Sequence, residues 1–148
     1  MSNTLHNDTT MQQDLEQYYL RFIDFLLLQK RILIDIGLLY GLTPMQTMAL
    51  LILDKQQPMS YLTATFNCDA SNVTGIVDGL QAKHLVQRLE NPDDRRVRII
   101  ELSQHGKELR NTLLKHLVDK SDPNPIFTKL NRQELKQFFG LIDKLTND

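Results

Sequence analysis

Residues 66–106 read FNCDASNVTGIVDGLQAKHLVQRLENPDDRRVRIIELSQHG, and this stretch decides the fold of the chain. Apolar residues recur near its start at the spacing of a helix: Val73, Ile76, Val77 and Leu80. Asp69 is placed to cap that helix. Two strands are predicted next, over residues 85–89 and 97–102, with a charged turn between them. A helix with polar outer residues, followed by an arginine-tipped hairpin, is typical of chains that place the helix in the major groove of DNA.

Helices are predicted on the amino-terminal side of this stretch. The first runs from about residue 12 to 39, after a polar start over residues 1–11 that we expect to be frayed. It is apolar on several sides, which favours a partner chain as its cover. Thr43 then predicts an N-cap, with Pro44 at the first helical position and Gln46 completing a capping box. Ser60 is expected to cap a short helix over residues 61–66.

The carboxyl-terminal side also reads as helical. Ser103 is expected to cap a helix that runs to about residue 119. The sequence Asp122-Pro-Asn-Pro125 predicts a break. Asn131 and Glu134 form a second capping box, which opens the last helix. The pattern therefore predicts a mainly α fold with a small β hairpin.

Composition narrows the class of protein. The chain has 148 residues, a length typical of one domain, and a net charge of −1, so it has no global basic surface for nucleic acid. Between residues 88 and 98, however, four arginines stand against three acidic residues. The lone Cys68 is consistent with a reducing compartment, and neither a signal peptide nor a membrane span is recognisable. We expect a cytoplasmic protein without membrane contact.

Several short motifs occur in a fixed order along the chain: 42–46 (LTPMQ), 69–74 (DASNVT), 76–80 (IVDGL), 85–88 (LVQR), 91–96 (NPDDRR) and 100–103 (IELS), followed by Gly106. This order resembles the MarR family of transcription regulators, which are winged helix-turn-helix dimers, and the resemblance covers roughly residues 15–146. It implies one domain over residues 1–148. Residues 12–40 and 103–146 would form dimerisation helices, and residues 43–102 would form the DNA-binding lobe.

The resemblance also implies a function. MarR-type homodimers bind a pseudo-palindromic double-stranded operator, most often repress transcription, and commonly release DNA when a small aromatic or phenolic ligand binds. Tyr40, Met45 and Met48 could line such a ligand pocket, although core packing explains them better. Two alternatives are a winged-helix module that binds a protein partner and a regulator that needs no ligand.

Ser71, Asn72 and Thr74 are predicted to face outward on the recognition helix. Asn72 can pair with adenine through two hydrogen bonds, and the two hydroxyls can reach phosphates or base edges. The competing interpretation is that they are small polar surface residues. Gly75 and Gly79 depart from the bulkier side chains common in the family. Either their bare backbone approaches DNA closely or these positions do not contact it.

In the charged turn, Asp94 and Arg96 match the Asp-x-Arg motif of the MarR wing. The resemblance implies that Arg96 enters the minor groove, while Asp94 holds the guanidinium or the hairpin. Arg95 and Arg98 are candidate phosphate contacts. Without the helix upstream, the same run would be interpreted as a solvated turn that neutralises itself.

Other reactive residues have simpler interpretations. Cys68 is expected to be a small buried hydrophobe rather than a redox trigger. His84 stands where the family usually has glycine and is interpreted as a helix terminator, with a phosphate contact as the alternative. His105 and His116 share a helix face but lie roughly 16 Å apart, too far to share a metal ion. No enzyme motif and no cofactor site is recognisable, so we expect neither catalysis nor a bound metal.

Overall fold

A computed structural model describes residues 2–119 and 127–147 of the chain. Six α-helices and three strands follow one another in these ranges: α1 (Ser2–Leu38), α2 (Pro44–Ile52), β1 (Gln57–Pro58), α3 (Met59–Phe66), α4 (Ala70–Ala82), β2 (Val86–Glu90), β3 (Arg98–Leu102), α5 (Gln104–Val118) and α6 (Arg132–Thr146). A short 3₁₀ turn, Phe127–Lys129, precedes α6.

The predicted helix caps are confirmed with one exception. The side chains of Thr43, Asp69, Ser103 and Asn131 each accept a backbone hydrogen bond at the start of a helix, and Thr43 and Asn131 form complete capping boxes. The expectation for Ser60 was wrong. The helix α3 begins at Met59 after an extended Pro58, which makes no side-chain cap, so Ser60 lies inside the first turn.

The first helix is longer than the sequence predicted, because α1 begins at Ser2 rather than near residue 12. A polar start does not by itself end a helix, and neither proline nor glycine interrupts the chain before Gly37. At its other end α1 stops before a turn in which Gly41 takes a positive φ of 63°. The break predicted at 122–125 lies outside the described residues.

The sheet has three strands in the order β1-β3-β2, all antiparallel. The hairpin of β2 and β3 was predicted to within one residue at its inner ends, whereas the two-residue β1 was not predicted at all. In β1, Pro58 stands opposite Ile99, so the segment before α3 is attached to the outer side of the hairpin. This pairing holds α3, the first helix of the helix-turn-helix, beside the hairpin of β2 and β3, which is the wing of the fold.

One apolar core holds these elements together. Val73, Val77 and Leu80 of α4 are fully buried, as the sequence predicted for that face, and Ile76 is half-buried. They pack with buried residues of the neighbouring elements: Leu50 of α2, Leu62 of α3, Ile100 of β3 and Leu113 of α5. Burial of a side chain of this size stabilises a fold by about 1.5–3 kcal/mol. The core fixes α4 against the sheet with its polar face outward.

Aromatic contacts join the two terminal helices. The ring of Phe138 in α6 lies 6.1 Å from that of Phe25 in α1, in an edge-on arrangement. Phe127 and Phe139 complete the cluster, with centroid distances of 5.2–5.5 Å. The predicted fold class is confirmed, since a mainly helical chain carries a small antiparallel sheet in a winged helix-turn-helix arrangement. Within the described residues, no helix has the length and apolar character that crossing a membrane requires.

Candidate nucleic-acid interface

The N-terminus of α4 is organised around Asp69. Its Oδ1 accepts hydrogen bonds from the backbone amide of Asn72 at 2.8 Å and from the Ser71 hydroxyl at 2.7 Å. Its Oδ2 accepts from Nδ2 of Asn72 at 3.2 Å. The amide of Asn72, followed by the Ser71 hydroxyl, lowers the pKa of the Asp69 carboxyl below its usual 3.8. Both side chains are thus oriented before any ligand arrives.

The hydrogen bond between Asp69 and Asn72 also fixes the direction of the Asn72 side chain. A carboxylate is only an acceptor, so the amide nitrogen of Asn72 must face Asp69. The amide oxygen and the second amide hydrogen remain available on the exposed surface. Those two groups form the pair that a bidentate contact with adenine requires.

The remaining predicted helix positions also face solvent. Thr74 is exposed, and its hydroxyl donates to the carbonyl of Ala70 at 2.8 Å. Gly75 is exposed, and a Cβ built at this position would meet nothing within 4 Å. Gly79 is different, because a Cβ there would overlap the side-chain amide of Gln46 in α2. Gly79 is therefore a packing position, while Gly75 lies on the open face.

Asp94 stabilises the wing turn by accepting hydrogen bonds from backbone amides, one at its side chain and one at its backbone carbonyl. Its Oδ1 accepts from the amide of Arg96 at 2.9 Å, and its carbonyl accepts from the amide of Val97 at 2.9 Å. Of the two roles suggested for Asp94, support of the hairpin matches these contacts. The side chains of Arg95 and Arg96 are exposed, and neither forms an ion pair with any described residue.

Arg98, the other predicted phosphate contact, already has a partner. Its Nη1 lies 3.1 Å from Oε1 of Glu90 across the hairpin, and both side chains are more than half exposed. An exposed pair of this kind contributes about 0–1 kcal/mol, so a phosphate could displace Glu90 at little cost.

A cleft of about 780 Å³ lies between α3, α4 and the wing. Thr74 lines it on the helix side, and Arg96 and Arg98 line it on the wing side. The fold therefore brings Thr74 of α4 together with Arg96 and Arg98 of the wing on one concave surface. Cys68 lines the same cleft and is only partly buried against the core, so the expectation of a small buried hydrophobe holds only in part.

The sequence did not predict the contact between Arg88 and α4. Arg88 was counted among the basic residues of the hairpin, yet its Nη2 lies 2.6 Å from Oδ1 of Asp78 in α4. These residues are ten positions apart and belong to different elements, so only the packing of β2 against α4 brings them together. Helical spacing alone carries no signal for such a pair.

His84 takes a positive φ of 57°, as expected for a residue that replaces glycine after a helix. Its carbonyl accepts a hydrogen bond from the Ser103 hydroxyl at 2.6 Å, which links the end of α4 to the cap of α5. These contacts match the terminator interpretation.

The candidate ligand residues do not gather around one described cavity. The Tyr40 hydroxyl lies 2.8 Å from Nε2 of His116, bridging the end of α1 and the helix α5. Met45 is half-buried and Met48 is 37% exposed. Among the described residues, no group of three histidine, cysteine or acidic side chains could hold a metal ion.

Comparison with known proteins agrees with this architecture. The family model described as "MarR family" matches residues 42–97. YhbI of Bacillus subtilis (strain 168), an HTH-type transcriptional regulator, is 36% identical over 52 residues. That alignment spans 35% of this chain and 34% of YhbI, so the chain covers about a third of the length of this curated relative.

Solved structures align over most of the chain. A mutant MarR from E. coli, crystallised in complex with operator DNA, superposes with a TM-score of 0.63 at 22% identity, covering 85% of this chain and 91% of that one. The transcriptional regulator BldR from Sulfolobus solfataricus gives a TM-score of 0.60 at 26% identity, covering 84% and 94%. The resemblance to the MarR family that the sequence motifs indicated is confirmed over residues 42–97, the segment that the family model matches.

Proposed function

We propose that this protein is a sequence-specific double-stranded DNA-binding transcription regulator of the MarR type, acting as a repressor. One observation carries the proposal. Thr74 of α4 and the arginines Arg96 and Arg98 of the hairpin line a single open cleft. A helix in the major groove with a wing over the adjoining backbone or minor groove would use these two surfaces together.

Local charge supports the proposal despite the net charge of −1. Arg95 and Arg96 are exposed and free of ion pairs among the described residues, so they can meet phosphates without first breaking an internal bond. The E. coli relative solved with operator DNA supports the same use of this fold. Ser71, Asn72, Thr74 and Gly75 would lie at the base edges, and Arg95, Arg96 and Arg98 along the backbone or minor groove.

We also propose that the protein acts as a homodimer. Large apolar side chains of α1 are exposed in the single chain: Leu15 57%, Tyr18 62%, Tyr19 68%, Phe22 51% and Leu26 49%. Phe139, Leu141 and Leu145 of α6 are exposed as well. A monomer rarely leaves so large an apolar surface in water. A two-fold dimer through residues 12–40 and 103–146 would present two recognition helices to half-sites about 34–36 Å apart on a pseudo-palindromic operator.

DNA binding is tested by selection from random duplexes, followed by affinity measurements at several salt concentrations. We expect a pseudo-palindromic consensus and a steep loss of affinity as salt rises. The double variant Arg95→Glu with Arg96→Glu should fold as the parent does, by circular dichroism, and lose binding. A parent protein with no preference among duplexes would overturn the proposal and favour a module that binds a protein partner.

The dimer is tested by sedimentation velocity. Phe22→Asp places a charge on the exposed apolar face of α1 and should shift the protein toward monomer. Glu16→Asp, a conservative change on the same helix, serves as the control. A parent protein that sediments as a monomer at micromolar concentration would contradict the proposed assembly.

Release by a small aromatic ligand, which the family resemblance implies, stays a prediction for this chain. Binding would have to change the spacing of the two recognition helices. Titration of the DNA complex with salicylate, a simple phenolic probe, tests it directly. Loss of DNA binding would support a ligand-responsive regulator, and an unchanged affinity would favour the alternative that needs no phenolic ligand.

A further inference from the structure

The wing contacts the recognition helix through Arg88. Nη2 of this side chain pairs with Oδ1 of Asp78 at 2.6 Å, and its Nη1 donates to Oε1 of Gln81 at 3.2 Å. Nη2 also lies 3.5 Å from the carbonyl oxygen of Thr74. Positions 74, 78 and 81 share one face of α4, so a single guanidinium follows that face over two turns.

Arg88 is partly buried, unlike the exposed Arg95 and Arg96 at the wing tip. It stands opposite Ile100 in the register of β2 and β3, and paired residues of antiparallel strands point to the same face of a sheet. Ile100 is fully buried. The Arg88 side chain is 27% exposed, and its buried Nε has no hydrogen-bond partner among the described residues. A guanidinium placed in this way is poorly available to a phosphate.

We propose that Arg88 is a positioning residue that sets the distance and angle between the wing and the recognition helix. This inference rests on the proposed DNA-binding function. The start of α4 and the tip of the hairpin can contact one duplex together only at a fixed separation, because each surface raises the effective concentration of the other. The bond between Arg88 and Asp78 maintains that separation.

The competing role for Arg88 is a direct contact with a DNA phosphate. Asp78→Ala separates the two roles because they predict changes of opposite sign. If Arg88 contacts phosphate, removing its acidic partner frees a cation and strengthens binding. If Arg88 acts through α4, the same change releases the wing and weakens binding. Alanine has a higher helix propensity than aspartate, so a loss of DNA affinity in Asp78→Ala could not be explained by a weakened α4 helix.

Glu90→Ala is the matched control. It also removes an acid paired with an arginine of the hairpin, but the pair of Glu90 and Arg98 lies within the hairpin. We expect Glu90→Ala to leave DNA affinity unchanged or to raise it up to about fivefold. We expect Asp78→Ala and Arg88→Met each to lower it by about tenfold, the factor that corresponds to one charge-assisted hydrogen bond. Tighter binding by Asp78→Ala would overturn the proposal.

A second measurement needs no DNA. Spin labels at Gly75→Cys and Asp93→Cys, in a Cys68→Ala background, report the distance between α4 and the wing tip. Labelled chains are diluted into unlabelled ones so that distances within one chain dominate. Asp78→Ala and Arg88→Met should broaden the distance distribution, and Glu90→Ala should not. An unchanged distribution in the first two variants would overturn the proposal.

The two measurements also separate this inference from the proposed function. If the parent protein binds no duplex but the distributions broaden as expected, the DNA-binding proposal fails while the positioning role of Arg88 stands. If the parent binds DNA and the distributions stay narrow in every variant, the positioning role fails alone.

Discussion

Gly79 of α4 lies directly against the side chain of Gln46 in α2, so closely that a Cβ at Gly79 would overlap the Gln46 amide nitrogen. The Oε1 of the same Gln46 accepts from the Thr43 amide at 3.1 Å in the capping box of α2. One buried glutamine therefore both starts one helix and packs against another. Gly79 is the residue that permits this approach.

The two glycines of α4 should respond differently to the same substitution. Gly75→Ala meets open space, so the gain in helix propensity should raise the free energy of unfolding by about 1 kcal/mol. Gly79→Ala must displace Gln46 and disturb its cap, and should lower that free energy by about 1 kcal/mol. Urea denaturation at equal chain concentration measures both changes.

Each glycine variant is the control for the other, because both replace glycine by alanine in the same helix, α4. A stabilised Gly79→Ala would show that Gln46 moves aside without loss. The DNA affinity of Gly75→Ala answers a further question. Weaker binding by this more stable variant would mean that the bare backbone at Gly75 approaches DNA, whereas unchanged binding would mean that this position makes no contact.

Asp69 should stabilise the protein in a pH-dependent way. The Asn72 amide, and then the Ser71 hydroxyl, lower its pKa below 3.8 in the folded state. Its contribution is therefore fully present above 3.8 and is lost as the pH falls through the lower folded-state pKa. Asp69→Ala should unfold at lower urea than the parent at pH 7, with the difference shrinking at acid pH. Asp69→Asn keeps an uncharged cap and should show little of this pH dependence. If Asp69→Ala lowered the free energy of unfolding by the same amount at pH 7 and at acid pH, this pH dependence would be ruled out.

Asn72 should carry base discrimination. Asn72→Ala removes the outward amide oxygen, and we expect preference at one base pair of each half-site to fall by about 1–3 kcal/mol. Selection of bound duplexes from a random pool measures this preference. Thr74→Val, which removes a hydroxyl already bonded to Ala70, is the comparison and should change preference less. Identical consensus sequences for the parent and Asn72→Ala would show that Asn72 does not select bases.

His84 should be replaceable by glycine with a gain in stability. Its φ of 57° is unfavourable for a residue with a Cβ, while glycine accepts it freely. After allowing for the larger unfolded-state entropy of glycine, we expect the free energy of unfolding to rise by about 0.5–1 kcal/mol. Lys83→Gly, one residue earlier at a φ of −90°, should be destabilising. DNA affinity tests the phosphate-contact alternative, which requires His84→Gly to weaken binding.

The features that the sequence predicted well depend on neighbours along the chain. The caps at Thr43, Asp69, Ser103 and Asn131 are formed within three residues, and the buried face of α4 follows from helical spacing. The hairpin could be predicted for the same reason, since its strands are joined by one short turn.

The features that it missed depend on distant partners. The strand β1 is two residues long and includes a proline, so only its pairing with β3 reveals it. That pairing also keeps Pro58 extended and moves the start of α3 ahead of Ser60. The contact of Arg88 with Asp78 requires the packing of β2 behind α4. The requirement for glycine at position 79 likewise comes from Gln46, which belongs to another helix.

Pro58 has one more consequence, which concerns self-association. It occupies an outer strand of the sheet and has no amide hydrogen, so a strand from another molecule that approached this edge would find a donor missing. Growth of the sheet at the β1 edge is thereby discouraged. The arginines of the hairpin can thus stay exposed to a polyanion without the β1 edge serving as a site for strand addition.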